Sequence, residues 1–191
     1  AAGIDMPATR LLESEGGRFH FLIKRFDRGS GGRVHMHSYS GLTHTPVRDT
    51  IDYDEVMNVT RVLTSREGDV ERVFRRAVFN VAAGNDDDHG RNHSFLMDRD
   101  GEWRLSPAYD LTRTTNPLLG GMRSAAILGK TVGVSRDDLK RLGEGQGVRK
   151  IDEVIGEVVA AVRDWERWAT EAGLSRFRTA QVVDELPGME W

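Results

Sequence analysis

Three consecutive carboxylates, Asp86, Asp87 and Asp88, sit in the run Asn85-Asp86-Asp87-Asp88-His89-Gly90-Arg91-Asn92, which contains no apolar residue. Adjacent carboxylates repel, so such a run is balanced by a cation or by hydrogen-bond donors, or else it is a solvated acidic turn. A cation is the simplest balance. Asn92 follows Asp87 by five positions, and Asp110 comes later, beyond a segment that reads as two short strands. Asp and Asn oxygens are the ligands a hard ion such as magnesium takes, and magnesium bridging two phosphates usually adds a second protein carboxylate, a place Asp110 can fill. An Asp-His cluster also admits a metal-dependent hydrolase, although carboxylates with an amide favour magnesium over zinc.

The elements that must position these residues are legible on either side. Val70, Val73, Phe74, Ala77, Val78 and Val81 recur at helical spacing and predict a helix from Val70 to Ala83 with a buried apolar face, ended by Gly84. The acidic run that follows must be a loop. His93 to Asp98 and Trp103 to Leu105, joined through Arg99-Asp100-Gly101, predict a hairpin that returns the chain, and with it Asp110, to the same edge. The Thr-, Asn- and Gly-rich stretch to about Gly121 reads as a loop, in which Thr112, Thr114 and Thr115 are loop residues or part of an activation-like segment. Upstream, Phe19 to Phe26 lies between glycine pairs and predicts a strand, a second strand runs from Arg33 to Tyr39, and a helix starts near Asp49 or Asp52 behind an Asx cap. His35 and His37 would share a strand face, as hydrogen-bonded histidines rather than a metal pair, since no third ligand is placed. Downstream, a short helix from Arg136 to Leu142 precedes a long one from Ile151 to about Ala169, with Trp165 and Trp168 at core and rim. The glycines at 29–32 and 143–147 read as turns and caps, and Arg176 and Arg178 as an exposed helix face.

The 191 residues suit one domain, and 27 basic against 30 acidic residues give a net charge of -3, which offers no general attraction to nucleic acid. There is no cysteine, no stretch apolar enough to span a membrane and no signal-peptide plan, so a cytoplasmic protein is expected.

The Asp87 to Asn92 spacing matches the Asp-x-x-x-x-Asn of a protein-kinase catalytic loop, in which the Asp accepts the substrate hydroxyl's proton and the Asn holds magnesium. More specifically, NDDDHGRNHSF followed by RLSPAYDLT resembles the HipA family pattern, N-x-D-x-H-x-K-N, then a hairpin, then L-x-P-x-Y-D. The resemblance implies that Asp87 is the catalytic base, that Asn92 and Asp110 are magnesium ligands, and that His89 acts close to the phosphates, with Gly90, Arg91 and Tyr109 lining the nucleotide site. Arg91 stands where the family has lysine, exchanging a compact ammonium for a planar fork. Lys24-Arg25-Phe26-Asp27-Arg28 resembles the E-R-F-D-R hinge, which implies adenine contacts at Lys24, Arg25 and Phe26, with Lys24 departing from glutamate.

The fold so implied is α+β, mainly α-helical: a kinase-like C-lobe with a catalytic-loop hairpin and a leading hinge strand. Residues 1–28 would be the end of an upper lobe with its hinge strand, and 29–191 the lower lobe. The implied activity is transfer of the ATP γ-phosphate, with Mg2+, to a protein serine or threonine by the toxin of a toxin-antitoxin pair. The implied partners are a protein substrate such as an aminoacyl-tRNA synthetase and a helix-turn-helix antitoxin through which DNA is met indirectly. The alternative is a noncatalytic nucleotide- or antitoxin-binding module. The phosphate-covering loop and gripping lysine would lie upstream, and a start without methionine close to the hinge points to a fragment that is inactive alone. A hinge strand left partly unpaired would favour dimerisation.

Overall fold

The computed structural model describes residues 1–29, 31–114 and 121–187. The helix predicted ahead of the acidic loop is α3 (Glu67–Ala82), and its apolar stripe is buried from Val70 to Val81. It packs against α2 (Tyr53–Thr64) and α5 (Ile151–Arg163), and Val56, Met57, Phe74, Val78, Ile155 and Val158 form the centre of the core. Asp52 caps α2 by accepting from the Asp54 amide at 2.9 Å and also accepts from the Leu128 and Gly129 amides, tying the helix start to a later segment.

The hairpin is β7 (Ser94–Met97) and β8 (Trp103–Leu105), and β5 (His35–Ser38) pairs antiparallel with β7 to complete a three-stranded sheet. Two polar ties fasten this sheet to α3. Asp69 accepts the Leu105 amide at 3.1 Å, and the buried Arg76 donates to the Ser106 carbonyl at 2.5 Å. A two-residue parallel ladder joins β6 (Ile51–Asp52) to β9 (Ala125–Ala126), in the register Ile51 to Ala125.

Several expectations change. The strand expected from Arg33 to Tyr39 divides into β4 (Gly32–Arg33), which pairs with β3 (Arg28–Gly29), and β5, because Tyr39 already opens the one-turn helix α1 (Tyr39–Thr43) under a Ser38 cap. The long helix from Ile151 to Ala169 breaks at Asp164 into α5 and α6 (Trp165–Glu171). The break lets the Trp165 indole donate to the Thr179 carbonyl on α7 (Arg176–Glu185), a contact that periodicity does not encode. Helix α4 (Arg136–Gly145) runs past Leu142 and takes in Gly143, where a Cβ would stand 3.0 Å from Ile151.

The leading strand is not left unpaired. β2 (Arg18–Ile23) pairs along its length with β1 (Thr9–Ser14), a strand not anticipated from the sequence, with Leu11 opposite Phe21. This two-stranded ribbon still exposes apolar side chains, Phe19 at 63% and Phe21 at 65%. His35 and His37 lie 6.1 Å apart by ring centroids, and His35 meets Trp103 edge-on at 5.5 Å. Thr115 and Ser30 lie outside the described residues.

Candidate active site

The acidic triplet resolves into three residues with different environments. Asp88 is 0% exposed: its Oδ2 accepts from Arg123 at 2.9 Å and from the Tyr53 hydroxyl at 3.1 Å, and its Oδ1 accepts the Ala125 amide at 3.1 Å. Burial raises the Asp88 pKa, against the pull of Arg123. Asp86 lies 3.5 Å from Arg123. Asp87 alone is exposed. The balance predicted to come from a bound cation is therefore supplied, for Asp88, by a buried arginine of the chain itself.

Two ties bring Asp110 beside this loop. Before it, the Tyr109 hydroxyl donates to the Arg91 carbonyl at 2.5 Å and also meets Ser94. After it, Thr114 takes the Asp86 amide on its carbonyl at 3.0 Å and the Asp87 amide on its hydroxyl at 3.3 Å. Asp110 itself adopts φ of 56°, a left-handed conformation unusual for a residue with a side chain and one often retained at functional turns. Asn92 donates its side-chain amide to the Asp87 carbonyl at 3.0 Å, which closes the loop and leaves the Asn92 Oδ1 available.

The Asp87 and Asp110 carboxylates are exposed and accept no hydrogen bond from described residues. Together with Asn92 Oδ1 they are, by donor type, the hard oxygens that magnesium takes. Among the described residues no group of three or more His, Cys, Asp or Glu is placed to hold a metal.

The other candidate residues fall around this centre. His89 keeps Nδ1 buried without a protein partner among the described residues. Arg91 is exposed. Gly90 is buried, and a Cβ there would stand 2.6 Å from the Ser40 hydroxyl and 3.0 Å from the Tyr39 ring, so its visible role is close packing beneath the loop. Of the hinge residues, Phe26 reaches Tyr109, with ring centroids 5.6 Å apart. Arg25 instead forms a two-pronged pair with Asp27, at 2.8 and 2.6 Å, and Lys24 is exposed with its amide bonded to the Ala8 carbonyl. A cleft of about 630 Å3 opens between Phe21 and Ile23 on one side and Tyr109, Asp110 and Leu111 on the other.

Three buried residues beneath the loop escaped the sequence reading: Tyr53, His93 and Arg123. The Asn80 amide donates to the Tyr53 hydroxyl at 2.8 Å, and the His93 ring meets Tyr53 edge-on at 5.3 Å. Burial, reinforced by the Arg76 charge, pushes the His93 imidazole down to about 3 from its ordinary 6.5. A base kept neutral in the folded state is protonated first in the unfolded chain. Its contribution to stability is therefore complete above pH 6.5 and is lost as the pH falls toward 3, at about 1.4 kcal/mol per unit. Urea denaturation should accordingly show a loss of about 2 kcal/mol between pH 7 and pH 5, and His93→Gln should remove that share of the slope.

A family model described as the HipA-like C-terminal domain matches residues 1–185. Three curated relatives are all named as putative kinases. One from Sinorhizobium fredii is 32% identical over 158 residues, covering 73% of this chain and 38% of its own length. One from Haemophilus influenzae is 26% identical, covering 82% and 56%. A second from Sinorhizobium fredii is 27% identical, covering 98% and 49%. This chain thus spans about half the length of these relatives, from 38% to 56%. Among solved structures, a chain from the Shewanella oneidensis HipA, HipB and operator DNA complex superposes with a TM-score of 0.64 at 18% identity, over 99% of this chain and 47% of that one, a likeness of fold.

Proposed function

The chain belongs to the HipA-like C-terminal domain family, and from that premise we propose that it is the lower, magnesium-nucleotide-holding lobe of a HipA-type serine/threonine protein kinase. The reading is supported by the unengaged oxygens on Asp87, Asn92 and Asp110 and by the Tyr109 and Thr114 ties that join their two segments of chain. In this reading residues 1–28 end an upper lobe and residues 29–191 form the lower one.

Asp87, exposed and steered by its amide bonds, accepts the proton of a protein serine or threonine hydroxyl on a carboxylate oxygen as that hydroxyl attacks the γ-phosphorus of ATP, the bond to the β,γ-bridging oxygen breaks and ADP leaves. Asn92 and Asp110 would hold Mg2+, which supplies neutralisation of the phosphate charge when bound. Phe26 and Tyr109 pack together as an aromatic surface against which a base can lie. His89 keeps a buried ring nitrogen that has no protein partner among the described residues.

The wider role follows the family: a cytoplasmic toxin with a helix-turn-helix antitoxin, DNA met through that antitoxin, and a protein substrate such as an aminoacyl-tRNA synthetase. A noncatalytic binding module is favoured by one observation, the exposed apolar ribbon of β1 and β2, which suits docking or self-association.

Calorimetric titration with ATP, with and without magnesium, separates these readings. Magnesium-dependent binding that disappears in Asp110→Ala supports the kinase lobe. Equal binding by wild type and Asp110→Ala, or none by a folded wild type, moves the function to docking.

A further inference from the structure

Arg123 lies 13 residues beyond Asp110 and outside every motif that suggested a site, yet its guanidinium reaches both Asp86 and Asp88 of the acidic loop. Its side chain is 7% exposed. Nη2 donates to Asp88 Oδ2 and to the Asn85 carbonyl, both at 2.9 Å, and Nη1 reaches the Asn80 carbonyl at 3.3 Å and Asp86 Oδ1 at 3.5 Å. The following backbone continues the grip, since the Ser124 amide donates to the Asp86 carbonyl at 2.9 Å and the Ala125 amide to Asp88 Oδ1 at 3.1 Å.

Asp86 and Asp88 flank Asp87, so fixing both from below leaves the residue between them directed outward. Two of the four guanidinium contacts go to uncharged backbone carbonyls, Asn80 near the end of α3 and Asn85 at the loop entrance. Those two contacts do not balance charge; they set the loop's angle against the helix. A planar fork can span the four acceptors, whereas a point-charge ammonium cannot. We infer that Arg123 is a positioning residue for Asp87, acting through Asn85, Asp86 and Asp88 without touching substrate.

The inference rests on reading Asp87 as the base, but its first test does not. Hydrogen exchange of amides 85–92 should speed up by about tenfold or more in Arg123→Lys, while core amides of α3 and α5 keep their protection. In a protein that carries both lobes the same variant should lower kcat for phosphoryl transfer by about tenfold, with the nucleotide Kd unchanged. The double variant Arg123→Met with Asp88→Asn replaces the pair with neutral groups, and should recover melting temperature without recovering loop protection. Full recovery of loop protection in that double variant, or Arg123→Lys indistinguishable from wild type, would reduce Arg123 to a counter-ion and overturn the inference. If the protein with both lobes transfers no phosphate, the kinase reading fails, and the exchange measurement still decides the role of Arg123.

Discussion

Asp87→Asn, made in a protein that carries both lobes, is expected to lower phosphoryl transfer by about 100- to 10,000-fold while nucleotide affinity stays close to wild type. Asparagine preserves the shape of Asp87 and the two bonds that its backbone amide donates, to Asn85 Oδ1 and Thr114 Oγ1, both at 3.3 Å. The Asp87 carbonyl also keeps its bond from Asn92. Only the ability to take a proton is removed, so the loss should appear in kcat with labelled ATP and not in the nucleotide Kd. A matching loss of magnesium-ATP affinity would make Asp87 a metal ligand rather than a base. Undiminished transfer would remove it from the chemistry.

One residue further along, the same loss of charge should act on stability instead. Asp88→Ala is expected to destabilise the chain by about 3–5 kcal/mol, because it leaves the Arg123 guanidinium buried without its close carboxylate. It also frees the Tyr53 hydroxyl and the Ala125 amide, both buried donors to Asp88. Asp87→Ala, at an exposed position, should fall within about 0.5 kcal/mol of wild type. Urea denaturation of the two variants side by side reads the contrast as a shift in midpoint at constant m-value. Equal stability of the two would mean that the buried clasp contributes nothing to folding.

That contrast marks where local reasoning reaches its limit. Asp86, Asp87 and Asp88 are chemically identical in the sequence, and their spacing to Asn92 singled out Asp87 only through the resemblance to a kinase loop. What separates them is direction. Asp88 turns inward to a cation 35 residues away, while Asp87 turns outward to solvent. Likewise the hinge segment read as one stretch of contacts, yet Phe26 turns to Tyr109 while Arg25 is spent on Asp27.

Elements whose cause is local could be read directly from the order of residues. The apolar stripe of α3 appears because a 3.6-residue period must bury one face, and the β7–β8 turn forms because Asp-Gly accepts the backbone it requires. The order of loop, hairpin and Asp110 along the chain follows from those elements. Tertiary structure alone decided the contacts between residues far apart in sequence: the pairing of β1 with β2, the parallel ladder of β6 with β9, the break at Asp164 that turns Trp165 onto α7, and the burial of Arg123 under the acidic loop. None of these leaves a periodic signal, because each depends on which distant groups the core brings within hydrogen-bonding distance, where a buried charge must find its partner or forfeit its solvation.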